Sequence, residues 1–153
     1  MESQGKPTTT DDASGTFRKA DETFEIGDAT VRISRPAPTV ILYTFSGRMV
    51  PELVQCIRDA AAPLVAAGSQ LDLFFDTEAM DGYHPRFRTQ MTEWHEELKD
   101  ATRSAGVLVR SRVVQMAIAI ANLATGGKLV SFSDRKNFEL AVRTAVREVK
   151  ASA

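Results

Sequence analysis

Four residues able to do chemistry, Asp76, Glu78, Asp81 and His84, fall within nine positions of the run Leu71-Asp-Leu-Phe-Phe-Asp76-Thr-Glu78-Ala-Met-Asp81-Gly-Tyr-His84-Pro85. Three carboxylates and an imidazole so close in sequence could hold a divalent cation or carry out acid-base work. Either chemistry needs a second histidine or a nucleophile placed near the set. His95, the only other histidine, stands 11 residues from His84, which on a helix is roughly 16 Å. No His-Glu-x-x-His spacing occurs. The reading we adopt is therefore the plain one: Asp76 caps nearby backbone donors, Asp81-Gly82 makes a turn, and Glu78 is solvated. No catalytic residue, metal ligand or cofactor is expected. Cys56 is the single cysteine; beside Ile57, with only Arg58 near it, it reads as a buried thiol rather than a nucleophile. Gly126-Gly127-Lys128 resembles a piece of a phosphate loop, but it follows a helical pattern and precedes a strand, the reverse of the order that aims a helix N-terminus at phosphate.

The elements around this cluster follow from periodicity. Leu71–Phe75 is a short apolar run, and its Leu-Phe-Phe indicates burial on both faces at a sheet centre. It would deliver Asp76 to the carboxyl edge of the sheet, where α/β folds carry functional loops. From Pro85, the positions Phe87, Met91, Trp94 and Leu98 repeat at helical spacing. Trp94 therefore belongs to a buried stripe. Upstream, Val31-Arg-Ile-Ser34 alternates and Thr39–Phe45 is dense in β-branched and aromatic residues, giving two strands. Ser46-Gly47 breaks the second, Pro51 suits an opening helical turn, and Leu53, Ile57, Ala60, Ala61 and Leu64 line one face of a helix that Gly68 stops. Gly106–Val109 and Leu129–Phe132 read as short strands. Ser111 can cap a helix running through Asn122, and Ser133 or Asp134 caps a last helix striped by Phe138, Ala141, Val142, Ala145, Val146 and Val149. Strand and helix alternate after the second strand. The expected fold is α/β, with a mostly parallel central sheet of about five strands, about four helices and one antiparallel strand on the N-terminal side.

Composition narrows the classes further. The chain has 153 residues, a formal charge of -1 from 19 basic and 20 acidic residues, 43% hydrophobic residues and 25% charged ones. Such a balance offers no global field for nucleic acid. Residues 1–23, rich in Thr, Asp, Ser and Gly, are expected to be a disordered tail, with a helical anchor around Phe17–Phe24 as the alternative; residues 24–150 form one domain. Met1-Glu-Ser-Gln-Gly-Lys-Pro lacks the apolar run of a signal peptide, and Gln115 and Asn122 interrupt the apolar stretch Val113–Ala124, so no membrane span is expected. With one cysteine, a reducing cytoplasm fits best. Arg103, Arg110 and Arg112 read as a solvated rim.

The third helix is apolar almost all round. Val113, Met116, Ala117 and Ile120 are expected to meet something beyond their own core: a second copy, a partner or a ligand. Homodimerisation through this helix is the version preferred.

The order and spacing of these features resemble the STAS-like domains, the fold of bacterial anti-sigma-factor antagonists, in its divergent SpoIIAA-like branch. The resemblance spans Thr30 to Val149. It rests on the strand ending at Gly47 before the first helix, on Leu73-Phe-Phe-Asp76, on the helix carrying Trp94, and on Phe132, Ser133 and the helix of Phe138 and Ala141. It implies a non-catalytic regulatory module that acts by protein contact, through a sheet edge and through the loop and helix after the Asp76 strand. Asp76, Thr77, Glu78, Asp81, Tyr83 and His84 would form the interaction loop. In the best-known antagonists a serine at the start of that helix is phosphorylated by the partner kinase. Here the region reads Asp81-Gly-Tyr83-His84-Pro85-Arg86 and holds no serine; Thr77 comes too early, Tyr83 is a different acceptor and Thr89 is already inside the helix. The alternative reading is a domain that binds a small apolar ligand or lipid in a pocket between the second and third helices and the sheet.

Overall fold

The computed structural model describes residues 19–124 and 128–152, with the backbone alone for residues 19, 20, 113, 117, 120, 121, 123 and 124. The chain runs β1 (Lys19–Ile26), β2 (Ala29–Ala37), β3 (Val40–Met49), a single 3-10 turn (Pro51–Leu53), α1 (Val54–Ala66), β4 (Leu71–Tyr83), α2 (Pro85–Glu97), β5 (Thr102–Leu108), α3 (Arg112–Ala124), β6 (Leu129–Phe132) and α4 (Arg135–Ser152). The six strands lie side by side in sequence order. β2 pairs antiparallel with both β1 and β3, and every pair from β3 to β6 is parallel, so β2 alone runs against the rest.

The layers follow from this order. Three parallel steps in one direction, each a right-handed crossover, place α1, α2 and α3 on one face of the sheet. Residues of these helices, including Ile57, Ala61, Phe87, Trp94 and Ile118, pack with Val31, Ile33, Ile41, Tyr43, Phe45, Leu73 and Phe75 of the strands. α4 follows the last strand and covers the other face, where Phe138 and Ala145 pack with Val40, Phe74 and Leu108. β4 is therefore buried on both sides from Leu71 to Asp76, as its apolar run indicates.

One difference from the sequence-based expectation is β1. Lys19–Thr23, assigned to the tail, are strand, which makes six strands where about five were expected and excludes a helical anchor there; residues 1–18 lie outside the described residues. β1 is an edge strand, and among its described side chains Phe24 and Ile26 pack against the core while the rest are polar, which hides it in the sequence. A two-residue turn joins it to β2, with Gly27 at φ 60 as the first central residue, the geometry that suits the twist of a hairpin.

Another difference is the length of β4. The segment from Asp76 to Tyr83, expected to be a loop with a turn at Asp81-Gly82, continues as strand. The cause lies in β3, which extends to Met49 and offers Ser46–Met49 as a ladder for Ala79–Tyr83. Gly47, expected to break β3, instead bends it: φ is 78, and the register shifts on either side of it. A Cβ at Gly47 would collide with the Asp28 carbonyl, so only glycine lets the β2 hairpin lie this close. β5 also begins earlier than Gly106, at Thr102.

Candidate functional site

The expected interaction cluster divides into an inner and an outer part. Its inner part is Asp76, Thr77 and Glu78, on β4 where the pairing with β5 ends. Asp76 is 7% exposed. Its Oδ1 accepts the Glu78 backbone N–H at 3.2 Å, the local cap expected of it. Its Oδ2 accepts from Nη2 of Arg135 at 2.9 Å, and Arg135 Nε donates to Glu78 Oε1 at 3.0 Å. Glu78, expected to be solvated, is partly exposed and also held by Arg135. The two carboxylates hold the Arg135 guanidinium firmly charged, its pKa raised first by the hydrogen bond to Glu78 and then by that to Asp76. The Thr77 hydroxyl donates to the Leu108 carbonyl at 2.6 Å, tying β4 to the end of β5. A threonine committed in this way is a structural pin.

Arg135 was not anticipated from sequence. The available signal was its position: a cation in the first turn of α4 opposes the helix dipole unless something else holds it. Asp134, two residues before Lys136, caps that helix by accepting the Lys136 N–H at 3.1 Å. The clamp therefore fastens the start of α4 to the middle of β4.

The outer part is Tyr83 and His84. Asp81 is exposed on β4, Tyr83 ends the strand at 36% exposure, and His84 is the N-cap of α2, its Nδ1 accepting the Arg86 N–H at 3.0 Å. Proline at the first helical position suits this start. Tyr83 and Pro85, with Arg88, Thr89, Thr92 and Glu93, line an open groove of about 450 Å³. The helical residues of this set lie one turn apart along a single stripe. The opposite face of α2 buries Phe87 and Trp94. Trp94 is a core residue, as read: its ring meets Tyr43 and Phe75 edge-on, with centroids 6.1 Å and 6.4 Å apart.

Other titratable groups are built into the frame. Asp72, which drew no attention in the sequence, is 1% exposed and accepts from Arg103 Nη2 at 2.8 Å and Nε at 3.1 Å, and from the Ser104 hydroxyl. Arg103, exposed as the rim reading expects, is at the same time the partner of a buried carboxylate, and the hydrogen bond to Asp72 raises its pKa. Tyr43 donates to the Ile57 carbonyl at 2.8 Å, and burial pushes its hydroxyl well above the usual range. Burial also pushes the Cys56 thiol up to about 11, and it donates to the Leu53 carbonyl. A thiol so poorly ionised is a weak nucleophile. Among the described residues, no three His, Cys, Asp or Glu side chains converge in a way that could hold a metal ion.

On α3, Met116 is 66% exposed and Val114 39% exposed. The side chains of Val113, Ala117 and Ile120, singled out with Met116, lie outside the described residues, as does the Gly126-Gly127 pair. Among the described residues, no helix is long and apolar enough to cross a membrane.

Comparison with known proteins adds information at the level of fold. No protein-family model matches the chain. No protein of curated function matches it. Among solved structures, it is similar to an uncharacterised protein of the DUF3478 family with a SpoIIAA-like fold from Shewanella loihica PV-4, at TM-score 0.59 and 12% identity over 77% of this chain and 96% of that one. It is likewise similar to the anti-sigma-factor antagonist SpoIIAA in its unphosphorylated form, at TM-score 0.57 and 12% identity over 74% and 97% of the two chains. With its sequential sheet, one reversed strand and, among the described residues, four helices, the chain has a SpoIIAA-like fold.

Proposed function

We propose that this protein is a cytoplasmic regulatory module that acts by binding another protein and not by catalysis. The observation that carries this reading is the open groove at Tyr83 and the outer stripe of α2. It lies on a rigid strand end and helix start, where the chain is held by the His84 cap and by the His84 N–H donating to the Met49 carbonyl at 2.9 Å. Pre-ordered surfaces bind at lower entropic cost. The fold shared with SpoIIAA supports a regulatory role at the level of fold. The Asp76 and Glu78 carboxylates are both held by Arg135 of α4 and lie outside the lining of this groove. The aromatic rings of Tyr43, Phe45, Phe75, Phe87 and Trp94 fill the space between α2 and the sheet, which weighs against the alternative of an apolar ligand lodged there.

Self-association through α3 is the second reading, favoured by the exposure of Met116 and Val114. Native mass spectrometry of the protein isolated from its own cells, on the wild type and on Tyr83→Ala/Arg88→Glu and Met116→Glu, tests both. The groove variant should lose a co-isolated protein that the wild type and Met116→Glu retain; the α3 variant should lose any homodimer. A partner retained by the groove variant would sink the first reading, and a homodimer retained by Met116→Glu would sink the second.

A further inference from the structure

The sheet ends at β6, and side chains complete its outer edge. The Val109 N–H donates to the Phe132 carbonyl at 2.9 Å, so Phe132 and Val130 direct their backbone groups toward β5. Alternation along a parallel strand then directs those of Leu129 and Ser131 outward. The outward groups of Leu129 are both taken by Asn122 of α3, whose Nδ2 donates to the Leu129 carbonyl at 2.6 Å and whose Oδ1 accepts the Leu129 N–H at 2.9 Å. A carboxamide presents a donor and an acceptor much as a peptide group does, and here it stands where a neighbouring strand would stand. Lys128 does similar work for β5. That strand starts at Thr102, whereas β6 begins opposite Ala105. The Lys128 ammonium donates to the carbonyls of Thr102 at 2.8 Å and Lys99 at 2.6 Å.

Such an edge is otherwise a template for another chain. β6 is four residues long, and Val130 within it is 52% exposed, so an open edge here would offer both backbone groups and an apolar side chain.

We infer that Asn122 is an edge guard: its carboxamide fills the strand position beside Leu129 and prevents a second copy of this chain from adding to β6. The inference is independent of the groove at α2. Sedimentation velocity over a concentration series, on wild type, Asn122→Leu and Asn122→Leu/Ser131→Pro, tests it. Proline at Ser131 removes an outward N–H and leaves the β5 ladder whole, so it blocks strand addition alone. Asn122→Leu should associate with rising concentration beyond the wild type, and the double variant should return to wild-type behaviour. A folded Asn122→Leu that sediments like the wild type throughout, or association that survives Ser131→Pro, would overturn the inference. Should Asn122→Leu fail to fold, amide exchange of the wild type decides: the Leu129 amide should exchange about tenfold more slowly than that of Ser131, the factor of a typical net hydrogen bond. Equal rates would overturn it.

Discussion

Asp72 illustrates how residue chemistry is put to structural use here. A carboxylate 1% exposed in the central strand is tolerated because Arg103 and Ser104 on β5 satisfy its oxygens. Arg103 also reaches Glu148 on α4 at 3.5 Å, so the pair joins two strands to the covering helix. Removing the guanidinium would leave the carboxylate buried with only a hydroxyl partner. Arg103→Ala should destabilise the fold by about 3 kcal/mol, the low end for breaking a buried pair because Arg103 is itself partly exposed. Urea unfolding with an unchanged slope checks this; a loss within experimental error would mean that water replaces the arginine at no cost.

At the scale of elements, the paired extension of β3 and β4 is the feature that brings Tyr83 to the start of α2. It depends on the bend at Gly47. Gly47 and Gly68 have nearly the same φ, 78 and 77, but a Cβ at Gly68 meets open space whereas one at Gly47 meets the Asp28 carbonyl. Gly68→Ala should therefore cost only the left-handed conformation, about 1 kcal/mol. Gly47→Ala should cost at least about 1 kcal/mol more, because the β2 hairpin must also move. Thermal unfolding of the two variants side by side measures the difference, and equal losses would mean that the hairpin yields freely.

For the whole molecule, stability should depend on pH through His95. Burial on α2 holds its imidazole below the ordinary value of 6.5, with Lys128 adding to the depression and Glu96 opposing it. The folded state then binds fewer protons than the unfolded one just below that value. Stability should therefore fall as pH drops through 6.5 toward the lower folded value, and level off beneath it. Replacing His95 by Gln should flatten that part of the profile, measured as the denaturation midpoint against pH. An unchanged slope would assign the loss to other groups. Lys128 also donates to backbone carbonyls at the β5 edge, so this titration lies beside the boundary that Asn122 closes.

The elements that bury apolar surface on a regular period were legible in the sequence: both sides of β4 from Leu71 to Phe75, the Phe87 and Trp94 stripe of α2, the Phe138 stripe of α4, and the alternation that dictates a parallel sheet with one reversed strand. Their spacing alone determines which residues face inward, because burial follows the backbone period. β1 was not legible, because it buries too little apolar surface to announce itself. The continuation of β4 past Asp76 was not legible, since the ladder that holds it belongs to β3. Nor were the partners of Asp72, Asp76, Glu78 and Leu129, which lie 31, 59, 57 and 7 residues away in the chain. Whether a polar side chain is solvated, clamped or used to finish a sheet edge depends on which groups the fold brings within hydrogen-bonding distance, and only the tertiary structure decides that.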